Sequence, residues 1–305
     1  MTEQEFTITD QTKNLRIDKA LTILFPNRSR SYFQKLIADG NVKLNGNVVK
    51  AKDLTTVGDH GMLYEPDPKP LLVEAENIPL DIIYEDDDIL IVNKPKNMVV
   101  HPAPGHPDHT LVNAVMYHCK DSLSSINGVL RPGIVHRIDQ DTTGSLIICK
   151  NDNAHQKIAE QLAVHSINRR YLGIVHGVLK NESGTINAPI GRNPNDRKKM
   201  AINERNGKPA VTHYKVLKRF HNYTYCEFKL DTGRTHQIRV HMASIGHPLL
   251  GDPLYGPRKC PIPHLVGQTL HAWKIGFIHP TTRQYVEFEA PIPEYFQKLL
   301  KRTDL

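Results

Sequence analysis

The sequence predicts an α+β protein of two domains, a small helix-hairpin module followed by a larger body built on a mixed, mostly antiparallel sheet. Three observations lead there. At 305 residues the chain exceeds the usual single domain. Strand-like runs outnumber helical ones and do not alternate with them as βαβ units would. Charge is segmented: Lys13 to Lys52 carries a net +7, Asp53 to Asp88 a net −10, and Ile89 to Leu305 a net +13. Two basic bodies separated by an acidic connector imply a polyanionic partner better than the overall +7 does.

The first module opens with Ile17, Ala20, Leu21, Leu24 and Phe25 on one helical face, closed by Pro26. A second helix follows, with Ser29 or Ser31 as N-cap, Tyr32, Phe33, Leu36 and Ile37 as its apolar stripe, and Gly40 at the left-handed position that ends it. Val42, Leu44 and Val48 around Asn45-Gly46 spell a hairpin with a type I′ turn. Arg16, Lys19, Arg28, Arg30 and Lys35 spread over the helices are candidate RNA contacts, the alternative being an ordinary basic surface. Together these features resemble the S4 RNA-binding module. Glu65-Pro66-Asp67-Pro68-Lys69-Pro70 is a proline-punctuated linker, which predicts domains at 13–65 and 79–305 joined by 66–78.

In the larger domain Ile82 to Tyr84 and Ile89 to Val92 form a hairpin-like pair about the acidic turn Glu85 to Asp88. Further strands are expected at Leu146 to Cys149, Tyr171 to Val178, Val211 to Leu217, Tyr223 to Leu230 and Tyr285 to Phe288. Asp152 is placed to cap a helix carrying Ile158 and Leu162, and His236 to Ile245 reads as another that stops at Gly246.

Several functions are excluded. No stretch approaches the roughly 18 apolar residues of a membrane span and no signal pattern is present, which predicts a cytoplasmic protein with no membrane partner. Cys119, Cys149, Cys226 and Cys260 form no CxxC pair, so a zinc or thioredoxin-type site is not expected. His101, His106 and His109 lie in a loop of prolines and glycine without metal-ligand geometry, and no metal is expected. His136-Arg137-Ile138-Asp139 looks like a kinase loop, but the companion kinase motifs are missing. Asp231-Thr232-Gly233 occurs once, whereas aspartic-protease chemistry needs two such carboxylates.

Two polar clusters carry the chemistry. The run His136 to Gly144 lies in a loop between apolar strands, and includes Arg137, Asp139 and Thr142. Extended backbone puts Arg137 and Asp139 on one face, where a guanidinium would keep the carboxylate ionised as nucleophile or base. A structural ion pair or a turn cap reads the same residues equally well. The second run, Gly233 to His241, contains Arg234, His236, Gln237 and Arg239 at a helix start, where arginines and backbone amides attract phosphate.

Seven stretches, Asn93 to Val115, Gly133 to Lys150, Arg169 to Gly177, Gly191 to Ile202, Gly207 to Val216, Thr232 to Gly256 and Leu270 to Pro280, make the chain similar to the RluA family of pseudouridine synthases. Within it the likeness runs to the RluD-type enzymes of large-subunit ribosomal RNA, and the S4-like module fits that group. Two departures are Ile138 where the family usually has Leu, and Gly267 where an arginine is common.

The resemblance implies Asp139 as nucleophile, Tyr171 as active-site tyrosine, and Arg239, with Arg234 as the other candidate, as active-site arginine. Arg137 matches the residue that fills the gap when the target nucleotide leaves the stack. His136, Thr142, Arg234, His236 and Gln237 are expected against substrate. The implied reaction moves uracil from N1 to C5 on the same sugar, with no redox change, so no cofactor is expected. The implied partner is RNA, and the protein is expected to act as a monomer. The other readings are the same chemistry on another ribosomal or transfer RNA site, or a non-catalytic RNA-binding assembly factor.

Overall fold

The computed structural model describes all residues except 1, 27, 66–72, 104, 121, 125, 127–131, 197 and 303–305. It forms two compact units, Met1–Leu71 and Leu72–Leu305. The expected linker run at 66–70 lies outside the described residues.

The first unit contains β1 (Thr2–Thr7), α1 (Ile17–Leu24), α2 (Arg30–Ala38), β2 (Val42–Leu44), β3 (Asn47–Val48) and β4 (His60–Glu65). Both helices form where the apolar spacing placed them. Ser29 caps α2 by accepting from the Tyr32 amide, and Gly40 takes a left-handed φ of 75°. Asn45 and Gly46 both have positive φ, as the type I′ turn requires. Ile17, Ala20, Leu21, Phe33, Leu36 and Ile37 from the helices pack on Phe6, Val42 and Leu63 of the sheet. β1 was not foreseen; its polar sequence hides a strand that pairs antiparallel along the whole of β4, ahead of the start expected at residue 13.

The second unit contains β5 (Ile82–Glu85), β6 (Ile89–Lys94), α3 (Leu111–Cys119), β7 (Thr143–Cys149), α4 (Asp152–Ala163), β8 (Asn168–His176), β9 (Ser183–Asn187), β10 (Ile190–Arg192), β11 (Met200–Ile202), β12 (Val211–Arg219), β13 (Tyr223–Leu230), α5 (Gln237–Ser244), β14 (Leu270–Ile278), β15 (Tyr285–Glu289) and α6 (Glu294–Leu300). Its main sheet runs β5-β6-β7-β14-β8-β13-β12-β9, with β15 also on β14. Within it β7–β14 is the parallel pair and the other pairs are antiparallel, so the sheet is mixed and mostly antiparallel as expected.

The continuous apolar runs of β6 and β7 are buried on both faces. Leu90, Val92, Leu146 and Ile148 meet Leu111, Val112 and Val115 of α3 on one side. Ile89, Ile91, Ile147 and Cys149 meet Ala154 and Ile158 of α4 on the other. The N-cap of α4 is Asn151, whose side chain accepts from the Ala154 amide; Asp152, expected in that role, is the first helical residue. The shift matters little, since Asp152 still places a carboxylate in the first turn.

Candidate active site

The centre of the sheet builds the site. The loop ahead of β7 carries Asp139, β8 carries Tyr171, and α5 carries Arg239. Asp139 borders a small recess of about 60 Å³, lined also by Thr142, Leu230, Ile238 and Leu270. It borders a wider cleft of about 620 Å³ as well, lined by Arg137, Arg169, Tyr171, Gly233, Arg234 and His236 among others. That volume is in the range of sites that enclose small molecules or single nucleotides.

Arg239 is 4% exposed and reaches two carboxylates. Its Nε and Nη2 donate to Asp252 at 2.7 and 2.9 Å, and its Nη1 donates to Asp139 Oδ2 at 3.0 Å. Burial works to discharge this guanidinium, but the Asp252 bonds and charge, with Asp139 behind them, outweigh it and raise its pKa above the ordinary value. Asp252 Oδ1 also accepts the Leu254 and Tyr255 amides, so the arginine is anchored to a turn held by its own partner. The guanidinium paired with Asp139 is therefore Arg239 and not Arg137, which is exposed on the cleft wall. Adjacency in an extended segment puts Arg137 near the carboxylate, but a contact across the fold supplies the ion pair.

His236, in left-handed conformation at the head of α5, has Nδ1 2.8 Å from the Tyr255 hydroxyl. The Tyr255 oxygen accepts the Met200 amide, so its proton is available to Nδ1. The neutral ring then carries its proton on Nε2, 3.9 Å from Asp139 Oδ1. Burial holds His236 below its ordinary pKa, against the pull of Asp139. Tyr171 is 9% exposed; burial raises its phenol pKa, Arg169 opposes, and Asp139 adds to the rise.

Lys94 is fully buried, and its Nζ donates to the carbonyls of Pro95, Met98 and Gln140 at 2.8 to 2.9 Å. It clamps the turn that follows Asp139. Burial pushes its ammonium down to about 7, with Asp141 and Asp139 resisting. Sequence reading missed Lys94, Asp252 and Tyr255; all three stand in quoted motifs, where nothing marks one polar residue as spent on another.

Other expected contacts are spent on the fold. Gln237 uses both faces of its amide: the oxygen accepts from Thr232 Oγ1 and the Arg234 amide, and the nitrogen donates to the Val211 carbonyl and Thr212 Oγ1. With every hydrogen-bonding position filled, it staples the loop to β12, and it also lines the recess beside Asp139. His136 Nε2 accepts the Ile147 amide, which ties that ring edge to β7. Thr142 is buried and accepts from Gln268. Arg234 is half-buried on the cleft wall with Nε on the Pro209 carbonyl.

In the first unit Arg16 and Arg30 fork onto the buried Asp18, which also accepts from Gln34. Burial raises the Asp18 pKa, yet the Gln34, Arg16 and Arg30 bonds outweigh it and leave the pKa lowered. Arg28 pairs with Glu65, while Lys19 and Lys35 are exposed. The grouping of metal-ligand type among the described residues is Glu85, His118 and Cys119, and Lys150 already pairs with its carboxylate.

The description RNA pseudouridylate synthase matches residues 88–244, and the S4 domain description matches 15–60. The chain belongs to the RNA pseudouridylate synthase family. It is an isomerase of that family with an S4 domain at its N-terminus. It is 52% identical to the uncharacterized RNA pseudouridine synthase YlyB of Bacillus subtilis, covering 99% of this chain and 98% of that one. It is 45% identical to the ribosomal large subunit pseudouridine synthase D of Zymomonas mobilis, again over 99% and 98%. The solved structure of human RNA pseudouridylate synthase domain containing 1 shares the fold, with a TM-score of 0.57 and 24% identity over 77% of this chain and 96% of that one. No described helix is long and apolar enough to cross a membrane.

Proposed function

We propose that this pseudouridine synthase isomerises uridine in large-subunit ribosomal RNA, with Asp139 as the group that attacks or assists at the sugar. The supporting observation is the carboxylate itself, exposed to a nucleotide-sized cleft and fixed at 3.0 Å by a buried arginine that a second carboxylate anchors. The substrate assignment rests on the similarity to the synthase D proteins, which covers almost the whole chain.

In this reading the N1–C1′ bond breaks, the base turns within the cleft, C5 joins C1′, and the proton lost from C5 is balanced by one gained at N1. Arg239 holds the carboxylate in line for either a covalent adduct or a glycal-like intermediate. Tyr171 lies against the detached base; because burial keeps its phenol protonated, removal of the C5 proton falls to a carboxylate before a phenolate. Extruding the uridine costs a few kcal/mol, which Arg137 offsets by filling the vacated stack. The S4 unit adds affinity through Arg16, Lys19, Arg28, Arg30 and Lys35. Action as a monomer in the cytoplasm completes the proposal.

The test is pseudouridine mapping in total RNA from cells with and without the gene, beside purified wild type and Asp139→Asn on the same RNA. Site-specific loss in large-subunit RNA, with the variant inactive but binding RNA within about threefold, is expected. Loss of sites only in transfer RNA would overturn the substrate assignment; full activity of Asp139→Asn would overturn the role of the carboxylate.

A further inference from the structure

Arg169 stands on β8 two residues before Tyr171 and is 8% exposed. Its Nε and Nη2 are buried and meet no hydrogen-bond partner among the described residues. The contrast is with Arg239, the other buried arginine among the described residues, which uses the same Nε and Nη2 edge to grip Asp252. That edge is the one that fits two oxygens of a single anion. A buried guanidinium without an anion is costly, which suits a group kept for an anionic ligand.

The surroundings say where that ligand sits. Arg169 lines the wider cleft beside Asp139 and Tyr171. Gly233 faces it, and a β-carbon there would stand 2.5 Å from Nη1, so the lack of a side chain gives the guanidinium its room. The His136 pKa falls to about 3, first through burial and then through the charge of Arg169, which sets that charge beside the ring.

We propose that Arg169, which lines the cleft, binds a backbone phosphate of the target nucleotide: its side chain turns on binding, so that Nε and Nη2, enclosed in the free protein, donate a forked pair of hydrogen bonds to two phosphate oxygens. The inference rests on the reading that RNA is the substrate. Its chemistry is direct: the sugar whose C1′ must meet Asp139 carries phosphates on its 3′ and 5′ oxygens, so an anion is tied to the reacting group by a few bonds. A grip there would hold the extruded nucleotide in the cleft while its base is detached and turned.

The test is titration of the full chain with uridine and with uridine 3′,5′-bisphosphate, in wild type, Arg169→Gln and Arg169→Lys. Wild type is expected to bind the bisphosphate at least about 10-fold more tightly than uridine, a preference that Arg169→Gln loses while its affinity for uridine stays within about twofold. Arg169→Lys keeps the buried charge, and so the fold, but lacks the forked edge, and should retain less than about a third of the preference. A preference unchanged in either variant, or absent in wild type, overturns the proposal; should Arg169→Gln fail to fold, the lysine variant decides. Failure of the isomerase reading looks different: wild type would form no pseudouridine in RNA while its Arg169-dependent preference for the bisphosphate persisted.

Discussion

Arg239 spends Nε and Nη2 on Asp252 and has only Nη1 left for Asp139, so a single planar group spans two carboxylates. A lysine ammonium is one point charge and cannot hold both in line. Arg239→Lys is expected to lower the single-turnover rate on saturating RNA by at least about 100-fold, or about 2.7 kcal/mol of barrier. A fall confined to KM would show that the arginine serves binding alone. His136 offers a pH prediction. Its folded pKa of about 3 lies below the ordinary 6.5, so the unfolded chain binds the extra proton between those values and stability falls as pH drops through that window. From pH 6.5 to 5 the loss is at most about 2 kcal/mol, and urea unfolding of His136→Gln, whose amide oxygen can still accept the Ile147 amide, should show a shallower acid decline than wild type. Equal slopes would mean that the ring takes up its proton in the native state. At this scale the sequence made the polar clusters visible but not their division of labour. Asp139 and Gln237 look alike as members of dense runs, and only contacts across the fold show that the first faces a cleft while the second fills its bonds with β12 and its own loop.

At the scale of elements, the loop bearing Asp139 is fixed by how β7 enters the sheet. Gly144 has φ 110°, and a β-carbon there would lie 2.2 Å from the Ala272 carbonyl oxygen on the neighbouring β14. The parallel β7–β14 contact is thus closer than any side chain allows, and Lys94 clamps the same loop from the other end. Gly144→Ala adds backbone strain of about 1–2 kcal/mol to that clash. A total loss of at least about 2 kcal/mol is expected in the urea midpoint, together with reduced activity as the Asp139 loop is pushed aside. An unchanged midpoint would mean that the two strands separate without penalty. The β6 and β7 runs were legible because both faces are apolar, whereas β14 was not. Its His271, Trp273 and Lys274 break the pattern, yet His271 is wholly buried, bonded to Thr143 at 2.8 Å and facing the Ala290 carbonyl at 3.2 Å. A polar residue satisfied inside a sheet reads in sequence as a loop residue. β1 was missed for the opposite reason, since among its described side chains Phe6 alone is deeply buried and gives no periodic signal.

For the whole molecule, two units have separate hydrophobic clusters, one built from Phe6 to Leu63 and the others from residues beyond 72, and the acidic stretch Asp53 to Asp88 supplies β4 to the first and β5 to the second, so it is more than a connector. Each unit therefore has the means to fold without the other's core, which makes deletion of residues 1–71 a fair experiment. The cations of the first unit are not equivalent. Asp18 neutralises part of the charge of Arg16 and Arg30 and leaves each about half exposed, at 46% and 49%, while Lys19 and Lys35 stand in solvent. If these four meet RNA phosphates, removing them lowers the salt slope of binding by about 0.7 to 0.9 per lost contact, or roughly three in all. The proposed mechanism draws on residues of the second unit, so the single-turnover rate on RNA already bound should stay within a few fold. Binding measured from about 50 to 200 mM salt, alongside that rate, separates the two contributions. A full slope retained by the shortened chain would assign the RNA grip to the larger unit and its net +6, and the S4 unit would then have to act on something other than phosphate.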